Sequence, residues 1–289
     1  MTGKKILLIL LVCCFAFTGV QAQKLKRAKR YMEQLNYIGA IELYNQVLDK
    51  EDNAEAKINI AECYRKISDS ENAEYWYGQV VRLPEAEPVH HLYYGQALQR
   101  NGKCDLAKEW YERYIQEVPD DLRGQYLVEA CDYEDDLMTK NAGIYEIKHC
   151  AFNSNLDDFT PVYFKEGIVF ASERDKGTAV KRTHTWTGNP FLELFYVKAE
   201  EAKGEECGNY TYGTPEKFGK ELNSKFHDAA VTFSQDQQQI FFTRNNIKDG
   251  KVGKDDEDIV RLKVFTAVNK GGDKWGDLKG LPFNSDEYS

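Results

Sequence analysis

The side chains best suited to chemistry in this chain are its histidines and one acidic run, and their spacing argues against the obvious uses. His184 and His227 each stand without a second ligand at the short spacing a metal site needs. His90-His91 sits within a helix-forming stretch, where packing and surface roles outweigh ligation. Asp255-Asp256-Glu257-Asp258 could attract Ca²⁺, but it lacks the alternating acids and the glycine of a calcium loop, so it reads as a solvated hairpin loop. There is no G-x-S-x-G, no H-E-x-x-H and no glycine loop to cradle phosphate. The expectation is a non-enzymatic chain with no catalytic residues, no cofactor and no metal.

The elements that would position any site divide into three zones. Lys4 and Lys5 precede an apolar run from Ile6 to Phe17, and Val20-Gln21-Ala22 presents small residues to a signal peptidase, so residues 1–22 read as a signal peptide cleaved before Gln23. Cys13 and Cys14 lack the small neighbour a lipidation site wants, which favours cleavage over a lipid anchor. No later segment is long and apolar enough to span a bilayer, so the mature chain is expected to be exported and without a transmembrane span. The whole chain has 289 residues and a formal charge of -9, and losing two lysines makes the mature chain more acidic still. That balance gives no electrostatic footprint for a phosphate backbone, so nucleic acid is not an expected partner. Cleavage leaves Cys63, Cys104, Cys131, Cys150 and Cys207. An odd, irregular set with no C-x-x-C is not a disulfide framework or a zinc site; it leaves either buried small hydrophobes or one disulfide, Cys104 with Cys131. Asn209-Tyr210-Thr211 fits a glycosylation acceptor, relevant only in a eukaryotic secretory route.

Residues 23–140 are nearly all helix formers with a 33–34-residue period. Ala40, Ala73 and Ala107 recur at that spacing, with Tyr44, Tyr77 and Tyr111 four residues after them and Ala28, Ala61 and Gly95 twelve before. Tyr31, Tyr64 and Leu98 follow the last set, and Pro119 marks the end of a second helix. A small residue on one helix lets its partner approach closely while an aromatic fills the space beside it, so the pattern describes stacked helical hairpins. It resembles the tetratricopeptide repeat in three copies, roughly 21–53, 54–87 and 88–121, with 122–140 as a capping helix. That resemblance implies a solenoid whose concave face, made by the first helices, binds peptide or protein segments. Carried over by position, the candidate partner-binding residues are Lys29, Glu62, Arg65, Lys66, Gln96, Gln99 and Arg100.

From residue 141 the texture changes to short β-branched and aromatic runs: Pro161–Phe164, Ile168–Glu173, Leu194–Ala199, Val231–Phe233, Ile240–Arg244 and Leu262–Val268. "NSNLDDFTPVYFKEGIVFASERD" from Asn153 aligns with "NSKFHDAAVTFSQDQQQIFFTRNN" from Asn223, and Phe218-Gly219 and Trp275-Gly276 read as matching linkers. The second phrase resembles the TolB-like, WD40-like propeller repeat, so residues 141–289 are expected to begin a β-propeller. "LPFNSDEYS" then reads as the lead-in of a third copy, and the sequence as the N-terminal fragment of a longer protein. The expected fold class is therefore α + β multidomain: a helical tetratricopeptide solenoid followed by an incomplete antiparallel propeller.

Signal peptide, tetratricopeptide hairpins and propeller in this order resemble a group of OmpA-family outer-membrane-associated proteins, whose PorE-like members belong to the type IX secretion apparatus. The resemblance implies a periplasmic, outer-membrane-associated scaffold that docks envelope or secretion-system proteins, with peptidoglycan gripped by an OmpA-like domain beyond Ser289. The alternative is a glycan binder or hydrolase with its site in the propeller.

Overall fold

The computed structural model describes residues 20–140, 143–144, 148–174, 182–201, 210–248, 250–272 and 274–289. Most of the expected signal peptide, Cys207 and Asn209 lie outside them. Among the described residues the chain is a mix of seven helices and antiparallel sheets, divided into a helical unit up to residue 146 and a β unit from residue 147; residues 185–187 belong to the helical unit.

In the helical unit, α1 covers residues 20–33 and is followed by α2 (Tyr37–Leu48), α3 (Ala54–Lys66), α4 (Ser70–Val80), α5 (Pro88–Arg100), α6 (Cys104–Glu117) and α7 (Arg123–Lys140). Local chemistry fixes where they start. Asn36, Asn53 and Asp69 each accept from a backbone N–H three residues on, and Pro88 opens α5 behind a capping box of Glu87 and His90. The turns within the hairpins use one backbone device: Leu35, Ser68 and Gly102 adopt φ of 57°, 62° and 71°. Glycine takes that left-handed conformation freely, whereas the leucine and serine hold it under strain. From α2 onward each helix packs on the next in chain order.

The periodic residues carry this packing. Ala28, Ala40, Ala61, Ala73 and Ala107 are buried, as are Tyr44, Tyr77 and Tyr111. A buried phenol needs a hydrogen-bond partner. Tyr44 reaches Met32 Sδ at 3.3 Å, Tyr77 donates to Glu62 at 2.9 Å and Tyr111 to Gln99 at 2.7 Å. At Gly95 a Cβ would come within 2.4 Å of the Tyr111 ring, so that crossing requires glycine. Cys104 and Cys131 are disulfide-bonded, Cα atoms 5.6 Å apart, and tie α7 to the start of α6. Cys63 is a buried free thiol that burial pushes up to about 12, which leaves it unreactive at neutral pH.

Among the described residues the β unit contains a five-stranded and a four-stranded antiparallel sheet. One runs β1 (Asp158–Phe164), β2 (Gly167–Ser172), β3 (Glu193–Glu201) and β4 (Tyr210–Tyr212), with β5 (Glu216–Lys217) also on β3. The other is ordered β11–β10–β7–β6, from β6 (Asp228–Phe233), β7 (Gln239–Asn245), β10 (Leu262–Asn269) and β11 (Trp275–Gly280); β8 (Ile247–Lys248) and β9 (Lys251–Val252) form a small hairpin. β1 and β6 each carry a bulge with a left-handed residue, Thr160 at φ 51° and Ala230 at φ 46°. Phe164, Val169, Leu194, Phe218, Leu222, Ile240, Phe242 and Trp275 form a core shared by both sheets. The stretch read from sequence as a linker at Trp275-Gly276 is instead the start of β11. Trp275 alone is buried there, and an edge strand with one inward side chain lacks the alternation that marks a strand.

Candidate functional site

The candidate residues on α3 and α5 meet at the C-terminal halves of those helices. Arg65, Ser68, Asp69, Tyr93, Gln96 and Arg100 line one cleft, together with Ser70 at the start of α4. Its volume of about 50 Å³ admits a side-chain tip; small-molecule sites run to about 300 Å³ or more.

Arg65 is held in place. Its Nε and terminal nitrogen donate to Glu62 at 2.7 and 2.6 Å, and its guanidinium lies 4.1 Å from the centroid of the Tyr93 ring. Burial would raise the Glu62 pKa. The hydrogen bonds and charge of Arg65, the Tyr77 hydroxyl and the charge of Lys66 outweigh it, so Glu62 sits below the usual carboxylate range. Lys66 lies 3.7 Å from Glu62, and its carbonyl accepts the Trp186 indole N–H at 3.3 Å.

Not all seven candidates gather here. Glu62 and Gln99 accept from Tyr77 and Tyr111, so each is committed to helix packing. Lys29 lines a separate groove along α1, beside Leu43 and Gln46 of α2. Arg65, Gln96 and Arg100 share the cleft, with Lys66 at its edge through Glu62.

The β unit places together residues that the sequence left apart. His184 Nε2 lies 3.2 Å from buried Glu173, which also accepts from Asn189 at 2.9 Å. The His184 and His227 rings are 4.6 Å apart between centroids. No short-range signal marks this pair, because the two histidines meet only across the fold. The acidic run is structural: Asp255 accepts from the N–H groups of Glu257 and Ile259 at 2.9 and 2.8 Å and from Arg261 at 2.6 Å. His90 Nδ1 accepts from Glu87 N at 2.8 Å, and His91 pairs with Glu117 at 3.0 Å. Among the described residues no group of three or more His, Cys, Asp or Glu could hold a metal ion, and no helix is long and apolar enough to cross a membrane.

A second arrangement missed in the sequence recurs at an offset of 70 residues. Asp158 accepts from Ser154 N and Arg174, whose guanidinium also donates to Phe152 O and lies over Phe170 and Phe195. Asp228 accepts from Ser224 N and Arg244, which donates to Leu222 O and lies over Phe242 and Phe265. The signal was present: Asp and Arg are 16 residues apart in both copies. Asn223 and Asn284 form matching clips, bonding both N and O of Leu194 on β3 and of Val264 on β10.

No protein-family model matches the chain, and no curated protein matches it as a relative.

His227 makes the β unit sensitive to acid. Burial, and then the nearby His184, lower its pKa to about 4 against the opposing pull of Glu173, while its Nδ1 accepts from Leu192 N at 3.2 Å. The unfolded chain takes up this proton near pH 6.5, well above the folded state. Stability from neutral His227 is therefore complete above about pH 6.5 and falls as pH drops toward 4, by on the order of 3 kcal/mol. Hydrogen exchange of β-unit peptides at a series of pH values, corrected for intrinsic exchange rates, should show this slope, and His227→Asn should flatten it. An equal slope in the variant rules His227 out as the source.

Proposed function

We propose that this chain is a non-enzymatic scaffold of the bacterial envelope, exported to the periplasm and associated with the outer membrane. In this reading the helical unit is a tetratricopeptide-type solenoid and the β unit the start of a TolB-like, WD40-like propeller. The regular placement of Tyr44, Tyr77 and Tyr111 supports the first, and the Asp–Arg locks repeated at an offset of 70 residues support the second. Envelope or secretion-system proteins are the partners, with peptidoglycan held by an OmpA-like domain outside this sequence.

The observation that carries the reading is the cleft between α3 and α5. It offers Arg100, the Gln96 amide, the Tyr93 ring and an Arg65 already paired with Glu62, with Asp69 at the wall, in a space fit for one side chain or a terminal carboxylate. Such a site recognises an extended acidic segment, with affinity spread along the helical surface and register set by the cleft. The glycan-binding or hydrolytic alternative has weaker support, since the carboxylate nearest two histidines, Glu173, is buried and already bonded to His184 and Asn189.

Replacing Arg65, Lys66 and Arg100 together by Glu should reduce co-purification of envelope partners at least about tenfold, since two or more charge-assisted contacts are lost. Circular dichroism checks folding, and Gln96→Ala is the milder companion because Gln96 has no part in the Glu62–Arg65 pair. Unchanged capture by both variants would overturn the reading.

A further inference from the structure

The first and last helices of the helical unit carry opposite charge. Between Gln23 and Glu33, α1 holds Lys24, Lys26, Arg27, Lys29 and Arg30 against one acid. The α7 sequence holds Glu129, Asp132, Glu134, Asp135 and Asp136 against Arg123 and Lys140. In a chain of formal charge -9, such a basic helix stands out from the background.

Both faces are open. Lys26, Arg27, Lys29 and Arg30 are exposed and, with Glu33 and with Leu43 and Gln46 of α2, line a groove whose N-terminal edge is Val20. Arg27 is preset there, donating to the Tyr31 hydroxyl at 3.0 Å. On α7, Leu127, Val128 and Cys131 pack toward α6, and Asp132 pairs with Lys108. A second face carries Tyr126 and Tyr133, 63% and 59% exposed, with Ala130 between them and Glu129 and Asp136 alongside.

We infer that the two faces are mates, so that α7 of one copy of this chain docks in the α1 groove of another. Tyr126 and Tyr133 would cover Leu43 and the lysine stems, and Glu129 and Asp136 would meet Arg27 and Arg30. The charges favour a second copy, because the acidic aromatic face and the basic groove occur on the same molecule. The contact is heterologous: each copy offers one face of each kind, so association runs head to tail and does not stop at a symmetric dimer. An exposed charged interface of this kind is weak and salt-sensitive.

Sedimentation velocity on the chain from Gln23 to Ser289 tests this. Average mass should rise with concentration at about 50 mM NaCl, and the association should weaken about tenfold at about 500 mM. A groove variant (Lys26→Gln, Arg27→Gln, Arg30→Gln) and an α7 variant (Glu129→Gln, Tyr133→Ser, Asp136→Asn) should each be monomeric. Their mixture should form a one-to-one pair and nothing larger, since only one live face of each kind remains. A wild-type chain that stays monomeric at low salt overturns the inference, as does a mixture that fails to pair while both variants keep native circular dichroism. Binding of the monomeric wild type to phosphatidylglycerol vesicles, lost in the groove variant, would assign the basic helix to an anionic membrane instead and overturn it too.

Discussion

Asp228→Ala is expected to destabilise the β unit by about 3–5 kcal/mol, the usual result of removing one partner from a buried ion pair. Asp228 is fully buried and Arg244 is 7% exposed. The carboxylate ties three segments together through Ser224 N before β6, its own position on β6 and Arg244 on β7. Without it, Arg244 keeps one hydrogen bond, to Leu222 O at 2.7 Å, and its two aromatic neighbours, but loses its counter-charge inside the protein. The matching change Asp158→Ala should cost less. Its pair with Arg174 is more accessible, with side chains 9% and 14% exposed, and Arg174 retains Phe152 O and Ser172 Oγ. Hydrogen exchange of peptides covering β6 and β7 is the proper measurement, because a chain of two units does not unfold as one transition. Equal protection in Asp228→Ala and wild type would refute the lock.

Loss of the Cys104–Cys131 disulfide should lower the stability of the end of the helical unit by about 3.5 kcal/mol. That figure is the loop-closure entropy of its 27-residue span, and it assumes an unstrained bond and an unstructured reduced chain. The bond matters because, among the described side chains, α7 packs on α6 through Leu127, Val128 and Cys131, while Tyr126 and Tyr133 face outward. Cys131→Ser, or reduction of the wild type, should speed hydrogen exchange across α7 while leaving α2–α4 protected. The oxidising compartment expected for an exported chain would keep the bond formed. Exchange in α7 that does not change on reduction would show that packing alone holds the helix.

The helices were legible because their signals are local. Each hairpin repeats small residues and an aromatic at fixed offsets, and a periodic set such as Tyr44, Tyr77 and Tyr111 can meet only one kind of environment. Six strands, β1, β2, β3, β6, β7 and β10, were legible for the same reason, since β-branched and aromatic residues mark them over several positions. β4, β5, β8 and β9 were not, because two or three residues are too few to leave a pattern, and β11 was not, because Trp275 is its one buried residue. At the candidate site, Arg65, Gln96 and Arg100 could be named from the repeat period. That Gln99 serves Tyr111 and that Lys29 lies in another groove could not, because a side chain's partner depends on the neighbouring helix.

By itself the sequence determined the helical array and its period, six of the strands in order, the α + β mix, and the disulfide as one of two readings of the cysteines. Tertiary structure alone decided the meetings between distant residues: Asp228 with Arg244, Glu173 with His184 beside His227, and the Asn223 and Asn284 clips. The reason is physical. Backbone preference and hydrophobic period act over a few residues and are written in the chain. The worth of a buried charge or amide depends on which distant group excludes water and supplies the partner, and only the folded chain selects that group.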